Sequence, residues 1–305
     1  MHKGPWTLAL CLLLSPFGGR ASDADRGGST ASATVETAEA LITMRVDGQI
    51  AIDAQGKVLD YRIDTKLQPE LQALIDKAVP NWLFWPVMVD GKPAAARTGM
   101  RITLAGTPVD KGYRIAVDNV TFSSKGAPGQ SAHERIPATP GVEMSIKSRK
   151  SKIHFPGYRV NGLVVVHVRI SPQGKVEEIG ASQSSLFHLT GSSKLLAKAR
   201  KAMEDSAIKG IRGWTFNVDT HGRTPKPEEL SGAISVEFVW NADSADQLNG
   251  TGVWRHELRG PYQAPAWLRD ARLAQRVGSS DMGGSDMAPL SSTVRLRDGV
   301  LGKAL

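Results

Sequence analysis

The chain has few of the residue types and spacings that mark catalytic or metal sites. Its 305 residues include one cysteine, Cys11, which lies in an apolar N-terminal stretch. Removing that stretch leaves no disulfide, no thiol nucleophile and no thiolate metal site. The seven histidines are scattered, and none has a second histidine two to four positions further on. Because local zinc motifs need such spacings, we expect no bound metal and no other cofactor.

Motifs for nucleophilic catalysis and for nucleotide binding are missing too. The sequence has no Gly-x-Ser-x-Gly, Gly-x-x-x-x-Gly-Lys or Gly-x-Gly-x-x-Gly, the signatures of a nucleophile elbow, a P-loop and a dinucleotide site. One Ser-x-x-Lys, Ser206–Lys209, lacks the Lys-Thr-Gly or Ser-Asp-Asn that accompanies it in serine acylating enzymes. We expect a protein that is not an enzyme. The alternative, an envelope hydrolase, requires a cleft where titratable groups converge.

The first 21 residues have the pattern of a secretory signal peptide. Lys3 precedes an apolar stretch from Trp6 to Phe17, and Gly19-Arg20-Ala21 offers small residues for cleavage after Ala21. The apolar stretch is shorter than the roughly 20 residues that span a bilayer. We therefore expect a periplasmic protein with a flexible leader at 22–38. The alternative is that residues 6–17 stay attached and anchor the chain in the inner membrane.

The formal net charge is +8. Outside the cytoplasm a basic protein is attracted to anionic envelope polymers or lipid headgroups, and we expect no nucleic-acid partner. The densest basic run is Lys147-Ser-Arg149-Lys150-Ser-Lys152. It is either a solvated linker or a patch that contacts an anionic envelope surface weakly.

One pattern occurs twice. A strand-like segment runs into Gln-Gly-Lys-Val at Gln55 and again at Gln173, and each copy later reaches a Trp-x-Phe at Trp82 and Trp214. The first pair of motifs is 118 positions apart and the second pair 132 positions apart. Such internal repetition indicates two copies of one folding unit. A duplicated binding scaffold explains it more simply than an active site does.

The residue pattern of each copy predicts a strand, a turn, a second strand, a helix and a closing strand. In copy one, apolar residues alternate from Met44 to Ile52, a glycine turn at Gly56 follows, and Pro69 opens a helix. In copy two, a strand from Val164 to Ile170 precedes a helix that Gly210 is expected to end. We predict an α+β fold with two small modules, each an antiparallel sheet covered by one or two helices.

Composition places the boundaries between these units. The predicted signal peptide is 1–21, and the flexible leader is 22–38. Module one is 39–123, a Ser-, Gly- and Pro-rich linker is 124–150, and module two is 151–242. Residues 243–305 show little periodicity, which predicts a mostly disordered tail. We expect Trp82 and Trp214 to lie in the two cores, and His167 to be solvated or at an edge.

The order of these elements resembles the C-terminal domain of TonB energy-transducer proteins. Copy one carries the pattern over Gln49–Leu104, with Trp82, Phe84, Pro86 and Gly91-Lys92-Pro93. Copy two carries it over Phe155–Trp240, with Gly162, Gly174-Lys175-Val176, Trp214, Phe216 and Gly222-Arg223-Thr224-Pro225. The resemblance implies a periplasmic module that binds a short segment of outer-membrane receptors by pairing an edge strand with it.

The resemblance also implies which residues contact a partner. The edge would be the closing strand, at Thr98–Leu104 or Tyr113–Phe122 in copy one and at Ala233–Trp240 in copy two. The partner-binding residues that we expect are Phe155, Pro156, Ile234, Val236, Phe238, Trp240, Arg101 and Thr103.

The chain departs from the TonB pattern in its anchor and spacer. It has a short N-terminal apolar stretch and no proline-rich spacer. We therefore expect an envelope protein that binds protein partners, among them outer-membrane TonB-dependent receptors. A true energy transducer for transport across the outer membrane, with a retained N-terminal anchor, is the alternative.

Overall fold

Antiparallel strands form most of the described chain. The computed structural model describes residues 38–89, 91–123, 142–240, 250–268, 287–290, 294–297 and 299–305. The predicted signal peptide and all of the leader except residue 38 lie outside these ranges. The elements, in chain order, are β1 (Glu39–Ile52), β2 (Val58–Ile63), α1 (Pro69–Ala78), β3 (Val87–Val89), β4 (Lys92–Ala94), β5 (Ala96–Val109), β6 (Gly112–Ser123), β7 (Glu143–Ser148), β8 (Asn161–Ile170), β9 (Val176–Phe187), α2 (Ser193–Arg212), β10 (Thr215–Asp219), β11 (Ser231–Phe238), β12 (Arg255–Arg259) and β13 (Met287–Pro289).

Nine of these strands form one sheet. Its order is β13-β11-β8-β9-β12-β1-β5-β6, and β2 pairs with the second half of β1. Two ribbons, β7 with β10 and β3 with β4, stand apart from it. The prediction of two small modules, each with its own helix-covered sheet, is therefore wrong. Strands from both copies lie in the same sheet, and the described part has only two α-helices.

The short strand β12 joins the two copies. Its residues pair with Glu39–Thr43 of β1 on one side and with Ser185–Phe187 of β9 on the other. Residues 255–259 belong to the segment that we expected to be mostly disordered, and that expectation is wrong for them. Hydrogen bonds on both edges hold this strand in the middle of the sheet, although its own sequence is mainly charged.

The repeat predicted from the sequence is also seen in the structure, where the same backbone hydrogen bond occurs in both copies. Gly56 and Gly174 both have positive φ, +82° and +78°. The N–H of Phe84 donates to the carbonyl of Gly56 at 2.7 Å, and Phe216 donates to Gly174 at 2.9 Å. A β-carbon on either glycine would lie about 2 Å from the carbonyl oxygen of that phenylalanine. The Gln-Gly-Lys-Val and Trp-x-Phe motifs therefore recur together because they contact each other.

The helices lie on one face of the sheet. In copy one, Leu71 and Ile75 of α1 join Trp82 in a core with the alternating apolar residues of β1 and β5. In copy two, Met203 of α2 and Trp214 close a matching core against β8 and β11. The predicted core positions of both tryptophans and the predicted helix from Pro69 are confirmed. The second helix continues past Gly210, which was expected to end it, as far as Arg212.

The other face of the sheet is concave. Arg45 of β1 forms an ion pair with Glu237 of β11, although four strand spacings separate these strands in the sheet order. Neighbouring strands lie about 4.8 Å apart, so a flat sheet would hold β1 and β11 roughly 19 Å from each other. An arginine and a glutamate side chain cannot span that distance. The sheet therefore curls, and this face is on the inside of the curve.

The described residues from 295 to 305 add strand-like pairs to copy one. Residues 295 and 297 exchange backbone hydrogen bonds with Leu83 and Trp85. Further on, the N–H of Leu305 donates to Ile115 at 3.0 Å and that of Gly302 to Val117 at 2.8 Å, so this segment lies along the outer edge of β6. Among the described residues, no helix is both long and apolar enough to span a membrane.

Candidate functional site

The first of the two edge strands expected in copy one, Thr98–Leu104, is not at an edge. Arg101 and Thr103 lie on β5, which pairs with β1 on one side and β6 on the other. Arg101 forms a two-bond ion pair with Asp47, at 2.5 Å and 2.7 Å, and Thr103 is buried. Because the long hairpin β5–β6 covers the outer side of β5, neither residue can contribute to a free edge. The alternative edge, Tyr113–Phe122, lies within the outermost strand β6.

Within the described ranges, strand pairing covers only the first half of the outer edge of β11. β13 pairs with Gly232, Ala233 and Ile234, and the N–H of Leu290 donates to the carbonyl of Ser231 at 2.9 Å. From Ser235 to Phe238, β11 pairs with β8 on its inner side. No strand in the described ranges pairs with the outer side of these four residues.

The backbone groups at this open half can be assigned from the pairing. Both the N–H and the C=O of a residue in an antiparallel strand point to the same side, and the side alternates along the strand. Since the carbonyl of Ser231 points outward, the groups of Ser235 and Glu237 point outward as well. Those of Val236 point inward to β8. The open half-edge therefore offers two donors and two acceptors over roughly 13 Å of strand.

A cleft of about 420 Å³ lies beside this half-edge. That volume is in the range of sites that hold a small ligand or a few residues of a peptide. One wall is β11, and the opposite wall is the segment after β7. The lining residues are Arg149, Ser151, Lys152, Ile153, Trp214, Ile234, Ser235, Val236 and Glu237.

The opposite wall is fixed by contacts with Trp214 and with the end of α2. The indole N–H of Trp214 donates to the carbonyl of Ser151 at 2.8 Å. A β-carbon on Gly210 would lie 2.4 Å from the side chain of Ile153, and one on Gly213 would lie 2.6 Å from that of Ser151. The two glycines thus allow the wall to approach the helix closely, which explains why Gly210 lies inside α2.

The rim of the cleft is positively charged. Lys152 and Arg149 line it from the basic run found in the sequence, and the guanidinium of Arg149 lies 5.2 Å from the centre of the Trp214 ring. Glu237 is the one acidic residue among the lining residues, and it is paired with Arg45. An anionic group on a bound segment would therefore be attracted to this rim.

Aromatic residues expected to bind a partner meet at the end of β11. The ring of Phe155 contacts those of Phe238 and Trp240 edge-on, with centroids 5.9 Å and 5.3 Å apart. Arg159 lies over Trp240 at 5.2 Å. Phe155 and Trp240 are 38% and 48% exposed, whereas Phe238, Ile234 and Val236 are buried. Four of the eight expected residues, Ile234, Val236, Phe238 and Trp240, thus lie on β11 or just after it, Phe155 contacts the last two, and Pro156 follows Phe155 in the chain.

Sequence reasoning missed a buried charged cluster on the concave face. Glu257 accepts hydrogen bonds from Thr43 at 2.9 Å, from Ser185 at 2.6 Å and from Arg259 at 2.9 Å. Arg259 also forms a two-bond pair with Asp118, at 2.7 Å and 3.0 Å. One sequence pattern could have revealed this cluster. In Arg-His-Glu-Leu-Arg at 255–259 every second residue is charged, which places three charges on one face of a strand.

These buried charges hold each other in the ionised form. Burial alone would raise the pKa of Glu257, but the charge and hydrogen bonds of Arg259 outweigh it and lower that pKa. Burial would likewise lower the pKa of Arg259, and the carboxylates of Glu257 and Asp118 raise it instead. Every charge named here has a partner, so the cluster joins the two copies and is not an open site.

His167 is buried, against the expectation of a solvated or edge position. It lies on the middle strand β8, between β9 and β11. Leu268 and Leu290 cover this part of the concave face. Neither ring nitrogen has a hydrogen-bond partner in the part of the chain that the structure describes, and burial lowers the pKa of the imidazole to about 4.

The described residues hold little that resembles a catalytic or metal centre. The hydroxyl of Ser206, the serine of the Ser-x-x-Lys, donates to the backbone carbonyl of His154. Among the described side chains there is no group of three His, Cys, Asp or Glu residues placed to hold a metal ion. No protein-family model, curated protein or solved structure matches this chain.

Proposed function

We propose that this protein binds partner proteins in the bacterial envelope by adding an extended segment of the partner to the outer edge of β11. The observation that carries the proposal is the half-edge from Ser235 to Phe238, which borders a cleft and has no strand paired with its outer side among the described residues. Main-chain hydrogen bonds supply affinity in this mode of binding, and pockets for alternate side chains supply selectivity.

Three further features support this proposal. The cleft has an apolar wall, Ile153 and Trp214, beside its cations. The exposed aromatic pair Phe155 and Trp240 lies just beyond the open half-edge, and exposed aromatics are common at the energetic centre of interfaces. The signal-like N-terminus and the resemblance to TonB C-terminal domains favour the periplasm as the location and outer-membrane receptors as partners.

The positive rim adds a preference to the proposal. Lys152 and Arg149 face the cleft, so a partner segment with acidic residues associates faster and more tightly than a basic one of the same shape. This preference weakens as salt is added, because exposed charges are screened over about 8 Å at physiological ionic strength.

Replacing Ser235 tests the proposal directly. Ser235→Pro removes the outward N–H and leaves the pairing with β8, because proline is tolerated where its missing N–H faces away from the sheet. Ser235→Ala removes the same hydroxyl but keeps the N–H, and it is the matched control. The probe is a phage-displayed library of random 12-residue peptides selected on the wild-type protein.

We expect the selected peptides to bind the wild-type and Ser235→Ala proteins equally and to lose at least tenfold in affinity for Ser235→Pro. Circular dichroism and thermal unfolding check that both variants are folded. Peptides that bind a folded Ser235→Pro protein as well as wild type would rule out pairing at this edge, and so would a library that yields no binders.

A further inference from the structure

Two apolar side chains of copy one face solvent from one short extended segment. Leu83 and Trp85 are 46% and 49% exposed, whereas Trp82 and Phe84, which alternate with them, are buried. Successive side chains of an extended chain point to opposite faces. Leu83 and Trp85 therefore share the outward face of this segment.

Two cations flank this pair on the same face. Leu83 is bridged to Lys57 on one side, and on the other side the N–H of Arg297 donates to the Leu83 carbonyl at 2.8 Å. Residues that lie opposite each other in antiparallel strands share a face. The guanidinium of Arg297 also lies over the ring of Trp85, 5.2 Å from its centre, and both cationic residues are exposed. We call Lys57, Leu83, Trp85 and Arg297 the copy-one patch.

The corresponding positions of copy two are polar. The Trp-x-Phe offset of 132 places Thr215 at the position of Leu83 and Asn217 at the position of Trp85. The bridge from Lys175 to Thr215 shows that the local pairing is the same in both copies. Since this structure forms with threonine and asparagine in copy two, the fold does not require exposed apolar residues in copy one. Exposed apolar residues that the fold does not require mark a contact surface.

The size and chemistry of the patch favour a lipid surface over a protein or a glycan. Met88 is a third exposed apolar residue nearby in the chain. The three side chains expose on the order of 300 Å², whereas a stable protein complex buries roughly 800 Å² on each partner. An anionic glycan would pair with the cations and leave the aliphatic side chains in water. Tryptophan and leucine beside lysine and arginine are typical of proteins that lie on an anionic bilayer.

We infer that the copy-one patch binds the surface of an anionic phospholipid bilayer. Trp85 and Leu83 enter the boundary between headgroups and acyl chains, and Lys57 and Arg297 lie against the headgroup phosphates. The net charge of +8 adds attraction to such a surface at longer range. Because the patch belongs to copy one, this contact is separate from peptide binding at the edge of β11.

Flotation of the full-length protein with lipid vesicles measures this contact. One set of vesicles contains equal parts of phosphatidylcholine and phosphatidylglycerol, and the other contains phosphatidylcholine alone. Each cation close to an anionic surface strengthens binding about fivefold. We therefore expect the wild-type protein to bind the anionic vesicles roughly tenfold or more tightly than the neutral ones. Lys57→Gln combined with Arg297→Gln should remove most of this preference.

The apolar part of the patch is tested by giving copy one the residues of copy two. Leu83→Thr combined with Trp85→Asn should fold like the wild-type protein, which circular dichroism checks, and should bind anionic vesicles about tenfold more weakly. Leu195→Thr combined with Tyr113→Asn is the matched control. It replaces a leucine and an aromatic residue that are exposed to a similar degree elsewhere, and it should bind as the wild-type protein does.

Two results would overturn the lipid contact: flotation of the wild-type protein with neither set of vesicles, or equal binding of the patch variants and the wild-type protein. If the Leu83 and Trp85 changes instead weaken binding of the library peptides, the patch contacts protein and the lipid contact is wrong. Neither vesicle result decides the proposed function, which depends on Ser235.

Discussion

Gly56 and Gly174 show what a single residue contributes to the repeat. Each adopts a positive φ that L-residues with a β-carbon avoid, and each lies directly against the backbone of a phenylalanine further along its copy. A hairpin turn could be predicted at both glycines from the sequence. Their contact with Phe84 and Phe216 could not, since nothing local shows which later residue returns to the turn.

Gly174→Ala tests this contact. The positive φ of an alanine costs about 1 kcal/mol, and the clash with the Phe216 carbonyl adds to it, so we expect a loss of roughly 3 kcal/mol in the free energy of unfolding. Gly222→Ala is the control, because Gly222 has a similar φ of +74° and no atom within 4 Å of an added β-carbon. Urea unfolding should show a loss of about 1 kcal/mol for the control. Equal losses would mean that the contact does not constrain the turn.

His167 makes stability depend on pH. Its pKa is lowered to about 4 in the folded protein, against about 6.5 in the unfolded chain. The unfolded state therefore binds the proton more readily. The stability that the neutral His167 contributes is fully present above pH 6.5 and is lost as pH falls toward 4. Linkage gives a loss of about 2 kcal/mol between pH 7 and pH 5 from this residue.

His167→Leu should remove that part of the pH dependence, as measured by urea unfolding at pH 7 and pH 5. His154→Gln, which changes an exposed histidine, should leave it unchanged. The assignment to His167 fails if the leucine variant loses as much stability on acidification as the wild-type protein.

At the scale of elements, β12 decides the architecture. Its five residues pair with strands from both copies, and its three charged side chains lie in the buried cluster on the concave face. A short, mainly charged segment is typical of an exposed edge or a disordered stretch. Only its pairing with β1, more than 200 positions earlier in the chain, makes it a central strand, and sequence patterns do not report pairing at that separation.

Glu257→Gln tests the contribution of this element. The change keeps the shape of the side chain but removes the negative charge between Thr43, Ser185 and Arg259. Removing one partner of a buried ion pair lowers the free energy of unfolding by about 3–5 kcal/mol. Asp64→Asn breaks the exposed pair with Arg62 and should cost less than about 1 kcal/mol. If both variants unfold at the same urea concentration, the cluster does not stabilise the joint between the copies.

At the scale of the molecule, the two copies form one body. Residues Glu36–Leu305 belong to one compact unit, and the sheet runs from β13 to β6 without a break. The strands, turns and core tryptophans inside each copy could be predicted from local periodicity. The joining of the copies could not, because the β12 pairs and the Arg45–Glu237 ion pair connect segments far apart in sequence.

The expected partner-binding residues have different surroundings in the two copies. Ile234, Val236, Phe238 and Trp240 lie on β11 or just after it, because β11 closes copy two, and Phe155 contacts the last two of them. Arg101 and Thr103 lie inside the sheet, because β6 pairs with the outer side of the corresponding strand of copy one. The repeat alone does not show that a further strand, β6, is added to copy one.

Since both copies share the sheet, we expect them to unfold together. Amide hydrogen exchange in increasing urea should give the same unfolding free energy for the central residues of β1 and β8. Two separate values, differing by more than about 2 kcal/mol, would mean that the copies are independent units despite the shared sheet.

The central claim is that the outer edge of β11 is open and accepts a strand. Amide hydrogen exchange at Ser235, Val236 and Glu237, measured with and without a selected library peptide, tests it most directly. In the free protein the outward amides of Ser235 and Glu237 should exchange fast and that of Val236 slowly. With peptide bound, all three should exchange slowly. Slow exchange of Ser235 and Glu237 in the free protein would mean that the chain itself fills the cleft, and this result would contradict the account.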